Sequence, residues 1–415
     1  MRFFIVSCVF PPEPVTSAGT SAHIAKELTQ QGHNVQVITN FPNRPRGRLY
    51  AEFTRCIFRR TTMDGLPVLR CFSTFSKESR LLSRFLENIT FGLTSGLAVL
   101  FMKRPDVIYA NTWPIFAQGL LMLACKLRHM PLVLSVQDLY PESLVVQKRG
   151  FEKTSRSYAF FRWLDAQITR NCAVLIVISE KFKEIYVSDR RIPENKITVI
   201  PNWIDDSHTI VTSAGDGIRK THDIPAGAFL VVYGGNIGTA AGVEHLIDAF
   251  QHLLSQENIY LLLAGAGSSL QNCLERIQKY QLERVKIHSP WQASDTFAVL
   301  SAADLCILPT QGEQSLVSLP SKLLSYMLAG CCVLALAAPE SEIARIISVS
   351  QAGWVISTND SGALANCISD ISRLSSNERG SRGQAGRNYV LKHFSKLTNV
   401  TKVIEILEQI GGKGG

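Results

Sequence analysis

The chain has 415 residues, 46% of them hydrophobic and 19% charged, which is enough for two domains and too apolar for a disordered polymer. The net charge of +9 is uneven: residues 1–205 carry +11 and residues 206–415 carry −2. An anionic partner is therefore expected for the first half alone. Nucleic acid is one such partner, but the basic residues lack the interleaved aromatics of a base-stacking platform. An anionic membrane surface fits better. Ten scattered cysteines with no C-x-x-C pair argue against a disulfide framework or a zinc site. They read as small buried hydrophobes in a reducing cytoplasm. The apolar run Phe3–Phe10 is closed by Pro11-Pro12 without a cleavage site, so it reads as a strand rather than a signal peptide. Uncharged stretches such as Asn88–Met102 and Ala110–Cys125 fall short of the roughly 18–20 apolar residues that a spanning helix needs.

Strand Phe3–Val9, loop Pro11–Thr20, a helix over about Ser21–Gln31 and strand Asn34–Thr39 make a βαβ unit of a parallel sheet. Ligands bind beyond the carboxyl ends of such strands, so Ser17, Ala18, Gly19 and Thr20 lie where a substrate would, a merely short loop being the competing reading. Arg44–Arg60 holds six arginines and one acid, Glu52. Beyond it, Leu81–Met102 carries apolar residues at helical spacing, flanked by Arg80, Arg84 and Lys103-Arg104. A basic loop beside a long amphipathic helix suits a protein lying on an anionic bilayer; a core helix under a solvated basic face is the competing reading. Strands Asp106–Asn111, Leu132–Gln137, Val174–Ser179 and Ile197–Ile200 follow. Asp138, just past one of them, could align an acceptor hydroxyl or act as base, with Glu142 a second candidate; both could equally be helix caps. The polar, Gly-rich Asp206–Gly227 reads as a linker.

In the second half, strand Leu230–Tyr233 ends in Gly234, Gly235, Asn236 and Gly238, and a helix over Val243–Leu254 follows. Glycines there let peptide N–H groups approach a ligand, and the next helix points its positive end the same way. The G-G-x-x-G spacing is not the dinucleotide fingerprint, and a plain strand-to-helix turn would look the same. Strand Ile259–Ala264 closes on Gly265 and Gly267. Val285–His288 leads to Trp291, which could brace a nucleotide base or sit in the core. After strand Asp304–Leu308 and a loop to Leu319, Pro320 and Ser321 open a helix whose first turn holds Lys322, with Leu323 and Ser325 behind it. Ser321 is placed at the N-cap. Free N–H groups, the helix dipole and an ammonium group then converge, a setting for a pyrophosphate.

These motifs follow one another as in a known family. VIPNWID (199–205), VVYGGNIGTAAGVEHLIDAF (231–250), LLLAGAG (261–267), AADLCILPT (302–310) and PSKLLSYMLAGCCVL (320–334) resemble the family 4 glycosyltransferases of GT-B fold. So do the N-terminal PPEPVTSAGTSAHIAKELTQQGHNVQVIT and SVQDLYPES (135–143). The likeness is greatest to the bacterial surface-polysaccharide branch that includes fucosamine transferases of O-antigen clusters. It implies an α/β architecture of two Rossmann-like domains facing across a cleft. Residues 1–205 would bind the acceptor and face the membrane, and 206–395 would hold the nucleotide-sugar. Residues 396–415 would be a helix crossing back to the first domain, then a tail. It also implies retention of anomeric configuration without metal or other cofactor. There are departures. The family's E-x₇-E acids should fall near Val317 and Ser325, its phosphate-loop cation at Ala241, and its frequent histidine at Gln137.

The resulting expectation is sugar transfer, with N-acetyl-L-fucosamine one candidate, from a UDP-linked donor to a polyprenyl-diphosphate-linked acceptor. The enzyme would be peripheral on the inner face of the cytoplasmic membrane. Asp138, Glu142 and Lys322 are the catalytic candidates. Gly234, Gly235, Asn236, Gly238, Gly265, Gly267, Trp291, Pro320, Ser321, Lys322, Leu323 and Ser325 are the donor-site candidates. A nucleotide-sugar 2-epimerase of the same fold and a non-catalytic nucleotide-sugar-binding protein are the alternatives.

Overall fold

A computed structural model describes the chain except residues 45–46, 76–80, 112–114, 147–151, 205–212, 239–240, 257, 293–294, 311–319, 359 and 413–415. The family's acidic position near Val317, the linker start at 206–212, Arg46, Arg80 and the Gly-rich tail from 413 lie outside the described residues. The chain divides into two compact units, Met1–Trp203 with Leu397–Gly415, and Ile204–Lys396.

The first unit runs β1 (Arg2–Ser7), α1 (Thr16–Gln30), β2 (Asn34–Asn40), β3 (Phe58–Met63), β4 (Leu66–Cys71), α2 (Leu81–Phe101), β5 (Val107–Asn111) and α3 (Ile115–Leu127). It continues with β6 (Leu132–Val136), α4 (Glu142–Val146), α5 (Arg156–Arg170), β7 (Val174–Val177), α6 (Glu180–Ser188) and β8 (Ile197–Val199). Its sheet has the order β3-β4-β2-β1-β5-β6-β7-β8, and only β3 against β4 is antiparallel. Strands buried on both faces read as near-continuous apolar runs. Here one face packs on α2, α3, α5 and α6, and the other packs on α1 and the C-terminal residues Val400–Leu407.

The second unit runs α7 (Ser213–Thr221), β9 (Phe229–Gly234), α8 (Val243–Gln251), β10 (Ile259–Ala264), α9 (Leu270–Lys279), β11 (Val285–His288) and α10 (Thr296–Ser301). Next come β12 (Leu305–Pro309), α11 (Ser321–Leu328), β13 (Val333–Leu336), α12 (Glu342–Ser350), β14 (Gly353–Ile356), α13 (Ser361–Ser372) and α14 (Ser376–His393). The closing helix, α15 (Lys396–Gly412), lies in the first unit from Leu397 on. The second sheet is fully parallel in the order β11-β10-β9-β12-β13-β14. That is the doubly wound arrangement in which the direction of winding reverses between β9 and β12, and ligands bind beyond the carboxyl ends there.

Three expectations are corrected. Helix α1 begins at Thr16, so Ser17–Thr20 form its first turn instead of a loop. Its buried stripe starts with the small residues Ala18 and Ser21 before Ala25 and Leu28, and small residues carry little hydrophobic signal. The stretch read as linker contains α7: a Cβ on Gly215 would stand 2.8 Å from the Ser301 carbonyl, so the glycine lets α7 lie against α10. The basic loop is partly internal. Arg44 pairs with Glu87 of α2 at 3.0 Å. Its last residues belong to the β3–β4 hairpin.

Candidate active site

In the second unit, β9 and β12 flank the reversal point of the sheet, and each leads into a candidate ligand-binding element. The turn Gly234–Gly238 follows β9; α11 follows β12. The structure brings the two together. A Cβ built on Gly235 would fall 2.0 Å from Cε of Lys322 and 3.1 Å from its Nζ. The lysine stem therefore lies directly over the bare peptide of Gly235, whose φ of +152° also favours glycine. Lys322 Nζ sits 5.3 Å from the centre of the Tyr233 ring, within cation–π range. Burial lowers the lysine pKa from its ordinary 10.5, since desolvation disfavours the charged form.

The turn is stiffened from below. Tyr326, one helical turn beyond Lys322 on α11, is buried, and its hydroxyl bridges the N–H and the carbonyl of Gly234 at 2.9 Å each. The Tyr233 hydroxyl donates to the Asn236 carbonyl at 2.7 Å. Gly235 N–H donates to the Ala264 carbonyl at 2.8 Å, and Ile237 N–H to the Ala266 carbonyl at 2.9 Å. Gly265 and Gly267 are required by close approach: a Cβ on Gly265 would meet the Gly235 oxygen at 1.8 Å, and one on Gly267 the Ile237 oxygen at 2.2 Å. The Asn236 side chain lies between Gly238 and Gly267. Trp291 stands over Gly234, with its ring 3.0 Å from where a Cβ would be. Its indole N–H is buried without a partner among the described residues.

At α11 one position is corrected. Pro320 is the N-cap, with extended backbone and no side-chain cap, and Ser321 is the first helical residue. Proline fixes the entry angle, which leaves the first-turn N–H groups uncapped by any side chain. Leu323 is buried and anchors the turn, and the Ser325 hydroxyl donates back to the Ser321 carbonyl at 3.2 Å. Gly234, Gly235, Asn236, Gly238, Gly265, Gly267 and Trp291 thus gather around the start of α11. Polar peptide groups, a helix N-terminus and one ammonium together suit a diphosphate.

In the first unit, the sheet reverses between β1 and β5. Asn111 ends β5, and its side-chain amide donates to the Ser17 carbonyl and to Ser21 Oγ, both at 3.1 Å. That fixes the first turn of α1, and with it Ala18, Gly19 and Thr20, at the reversal point. Asp138 lies just beyond β6, exposed at its surface yet set among enough protein that desolvation raises its pKa. Gln137 donates to Ser135 at 3.1 Å. Glu142, four residues past Asp138, is placed otherwise. Both its oxygens accept from Arg190 Nη2 at 2.7 Å, and Oε1 also accepts from the Tyr158 hydroxyl at 3.0 Å.

Arg190 is wholly buried. It also bonds Asp165 through Nε at 3.2 Å and the Tyr140 carbonyl at 3.2 Å. Burial lifts the Asp165 carboxyl to about 7 against the opposing pull of Arg190. Sequence reasoning missed this cluster, as it missed Asn111, Tyr233 and Tyr326. The i, i+4 spacing of Lys322 and Tyr326 was the one signal that could have pointed to the last.

Both units find matches among known families. The description "Glycosyltransferase Family 4" matches residues 20–208, and "Glycosyl transferases group 1" matches residues 228–373. With the two doubly wound sheets, these matches make the chain a glycosyltransferase of the GT-B fold. It is 26% identical over 370 residues to WbjE of Pseudomonas aeruginosa, provisionally named a glycosyltransferase, covering 86% of this chain and 90% of that one. It is 24% identical over 337 residues to WcaI of Escherichia coli, provisionally named a colanic acid biosynthesis glycosyl transferase, covering 80% and 82%. Among solved structures, Anabaena HepE with UDP and glucose superposes with a TM-score of 0.70 at 17% identity, over 98% of this chain and 99% of that one. WaaG, described as a glycosyltransferase involved in lipopolysaccharide biosynthesis, gives 0.67 at 16% identity over 98% and 99%.

Proposed function

We propose that the protein transfers a sugar, with retention, from a UDP-linked donor to a polyprenyl-diphosphate-linked acceptor in bacterial surface polysaccharide (O-antigen) synthesis. N-acetyl-L-fucosamine is the sugar tested first. The observation that carries the reading is the seating of Lys322 on Gly235 at the reversal point of the second sheet. The UDP seen in HepE and the names of WbjE, WcaI and WaaG support it.

The donor diphosphate lies over Gly235–Gly238 and the tip of α11, between Lys322 and the free N–H groups. As the bond from sugar to phosphate opens, negative charge grows on the phosphate, where Lys322 and Asn236 stabilise it. The acceptor hydroxyl attacks from the leaving-group side, and a donor phosphate oxygen takes its proton. Retention then needs neither a carboxylate nucleophile nor a metal. Gly265 and Gly267 keep the turn open, Trp291 braces the base, and Leu323 and Ser325 hold the first turn of α11. In the first unit, Ser17–Thr20 contact the acceptor and Asp138 orients its hydroxyl. Glu142, tied to Arg190, fixes the loop that carries Asp138. The enzyme works as a peripheral protein on the cytoplasmic face of the membrane; no helix among the described residues is long and apolar enough to cross it.

The test is a melting-temperature panel of UDP, GDP and dTDP, followed by transfer assays with sugars of the stabilising nucleotide and NMR of the product anomer. UDP stabilisation and a retained anomer are expected. No response to any nucleotide would overturn the reading, and an epimer formed from donor alone would replace it with 2-epimerisation.

A further inference from the structure

We propose that the outer face of α2, α3 and α5 is the docking surface for an anionic phospholipid bilayer, an inference that deepens the membrane-bound acceptor reading above and rests on it. The sequence pointed to α2 with the basic loop before it; the structure points to three neighbouring helices. Helix α2 buries Phe91, Ser95 and Val99 and comes so close to α3 that a Cβ on Gly92 would stand 2.8 Å from Ala117 Cα. Its other side exposes Leu86, Leu93, Leu97 and Phe101, the last 85% accessible. Arg128, just past α3, donates to the carbonyls of Val99 and Met102 at 2.8 Å each, which sets the ends of the two helices side by side. Leu127 of α3, 64% accessible, thus joins Phe101. Nearer the start of the helices, the rings of Phe85, Phe116 and Phe161 link α2, α3 and α5 within 5.7 Å, and α5 exposes Phe160 and Trp163 beside them. Apolar surface on this scale on three adjoining helices calls for a partner.

Charge selects the partner. Helix α3 has no acid; the one acid of α2, Glu87, and the one acid of α5, Asp165, are both buried in ion pairs with arginine. The cations Lys103, Lys126, Arg156 and Arg162 at the same helices or their ends are all exposed. The exposed acids nearest in sequence, Asp106 and Glu152, lie off the helices. A face of leucine, phenylalanine and tryptophan rimmed by cations suits anionic headgroups above an apolar layer. A second copy of the chain would bring the same cationic rim against itself. The face also serves the reaction: Tyr158 on the inner side of α5 donates to Glu142, two residues from the exposed Phe160. A lipid-borne acceptor would therefore enter beside the loop carrying Asp138.

Co-sedimentation of the full chain with phosphatidylcholine vesicles, with and without phosphatidylglycerol, tests this in the absence of donor and acceptor. Binding should be at least about tenfold stronger to the anionic vesicles and should weaken as salt is added. Phe101→Glu with Leu127→Glu, and separately Lys103→Glu with Lys126→Glu, should each reduce it about tenfold, with melting temperature and UDP affinity unchanged. Equal binding to neutral vesicles, no binding, or full binding by both variants would overturn the proposal. So would a concentration-dependent dimer that Phe101→Glu dissolves, because the face would then belong to a second copy. Transfer failing while vesicle binding holds would count against the reaction and not against this surface.

Discussion

Gly235→Ala tests the proposed donor site where the Lys322 stem lies over the turn. The new methyl would fall 2.0 Å from Lys322 Cε, but that atom belongs to a flexible side chain, so the lysine should swing aside and the fold survive. The residual strain comes from an alanine at a φ of +152°, on the order of 1–3 kcal/mol. The larger effect should fall on the ligand, since the displaced ammonium no longer meets the diphosphate. Losing one charge-assisted hydrogen bond is worth about 1.5–3 kcal/mol, roughly a tenfold to 150-fold loss of UDP affinity. Calorimetric titration of wild type, Gly235→Ala, Lys322→Ala and the double variant separates the two effects. If both changes act through the same ammonium, each single variant loses a similar factor and the double variant loses little more. Wild-type affinity in Gly235→Ala, or losses that simply add, would refute the reasoning.

Further predictions concern charge and the close-packed turn. Burial lowers the Lys322 pKa below 10.5, and only the ammonium form grips a diphosphate, so UDP affinity should fall as pH rises toward that lowered value. Lys322→Arg should flatten the slope; a pH-independent wild-type affinity would count against it. Arg190→Met strips the counter-charge from Glu142 and Asp165 and should destabilise the protein by about 3–5 kcal/mol in denaturant unfolding. Asp165 holds its proton up to about 7 when folded but loses it near 4 when unfolded. Its contribution is therefore fully present below pH 4 and is lost as pH rises to about 7, a slope that Asp165→Asn should abolish. Gly265→Ala sets a methyl against backbone rather than against a mobile side chain. It should lower the melting temperature more than Gly235→Ala does, and an equal or smaller drop would argue against the close approach.

Much of the candidate donor site was legible because its parts follow strands. A short apolar run closed by glycines marks both the strand end and a place where peptide groups can approach a ligand, which is why Gly234–Gly238 and Gly265–Gly267 could be picked out as candidates. Lys322 stood out because the dipole disfavours a cation in a first turn. The supports were hidden. Tyr326 and Tyr233 fall at ordinary apolar positions of a helix and a strand, and nothing in the residue type says that a hydroxyl finds a partner. Arg190 sits just past α6 between charged neighbours, where a sequence pattern suggests solvent; its partners Glu142 and Asp165 come from elements far away in the chain. The start of α1 was misplaced because Ala18 and Ser21 pack closely but are too small to carry a strong hydrophobic signal. Helix α7 was missed because Gly215, a breaker by propensity, is there to let two helices touch.

A structure of the full chain with UDP bound tests the central claim most directly. The diphosphate should lie over Gly235–Gly238 within hydrogen-bond reach of Lys322 Nζ and of the first N–H groups of α11. A diphosphate bound elsewhere in the second unit, with Lys322 still folded over Gly235 and touching no phosphate oxygen, would contradict it.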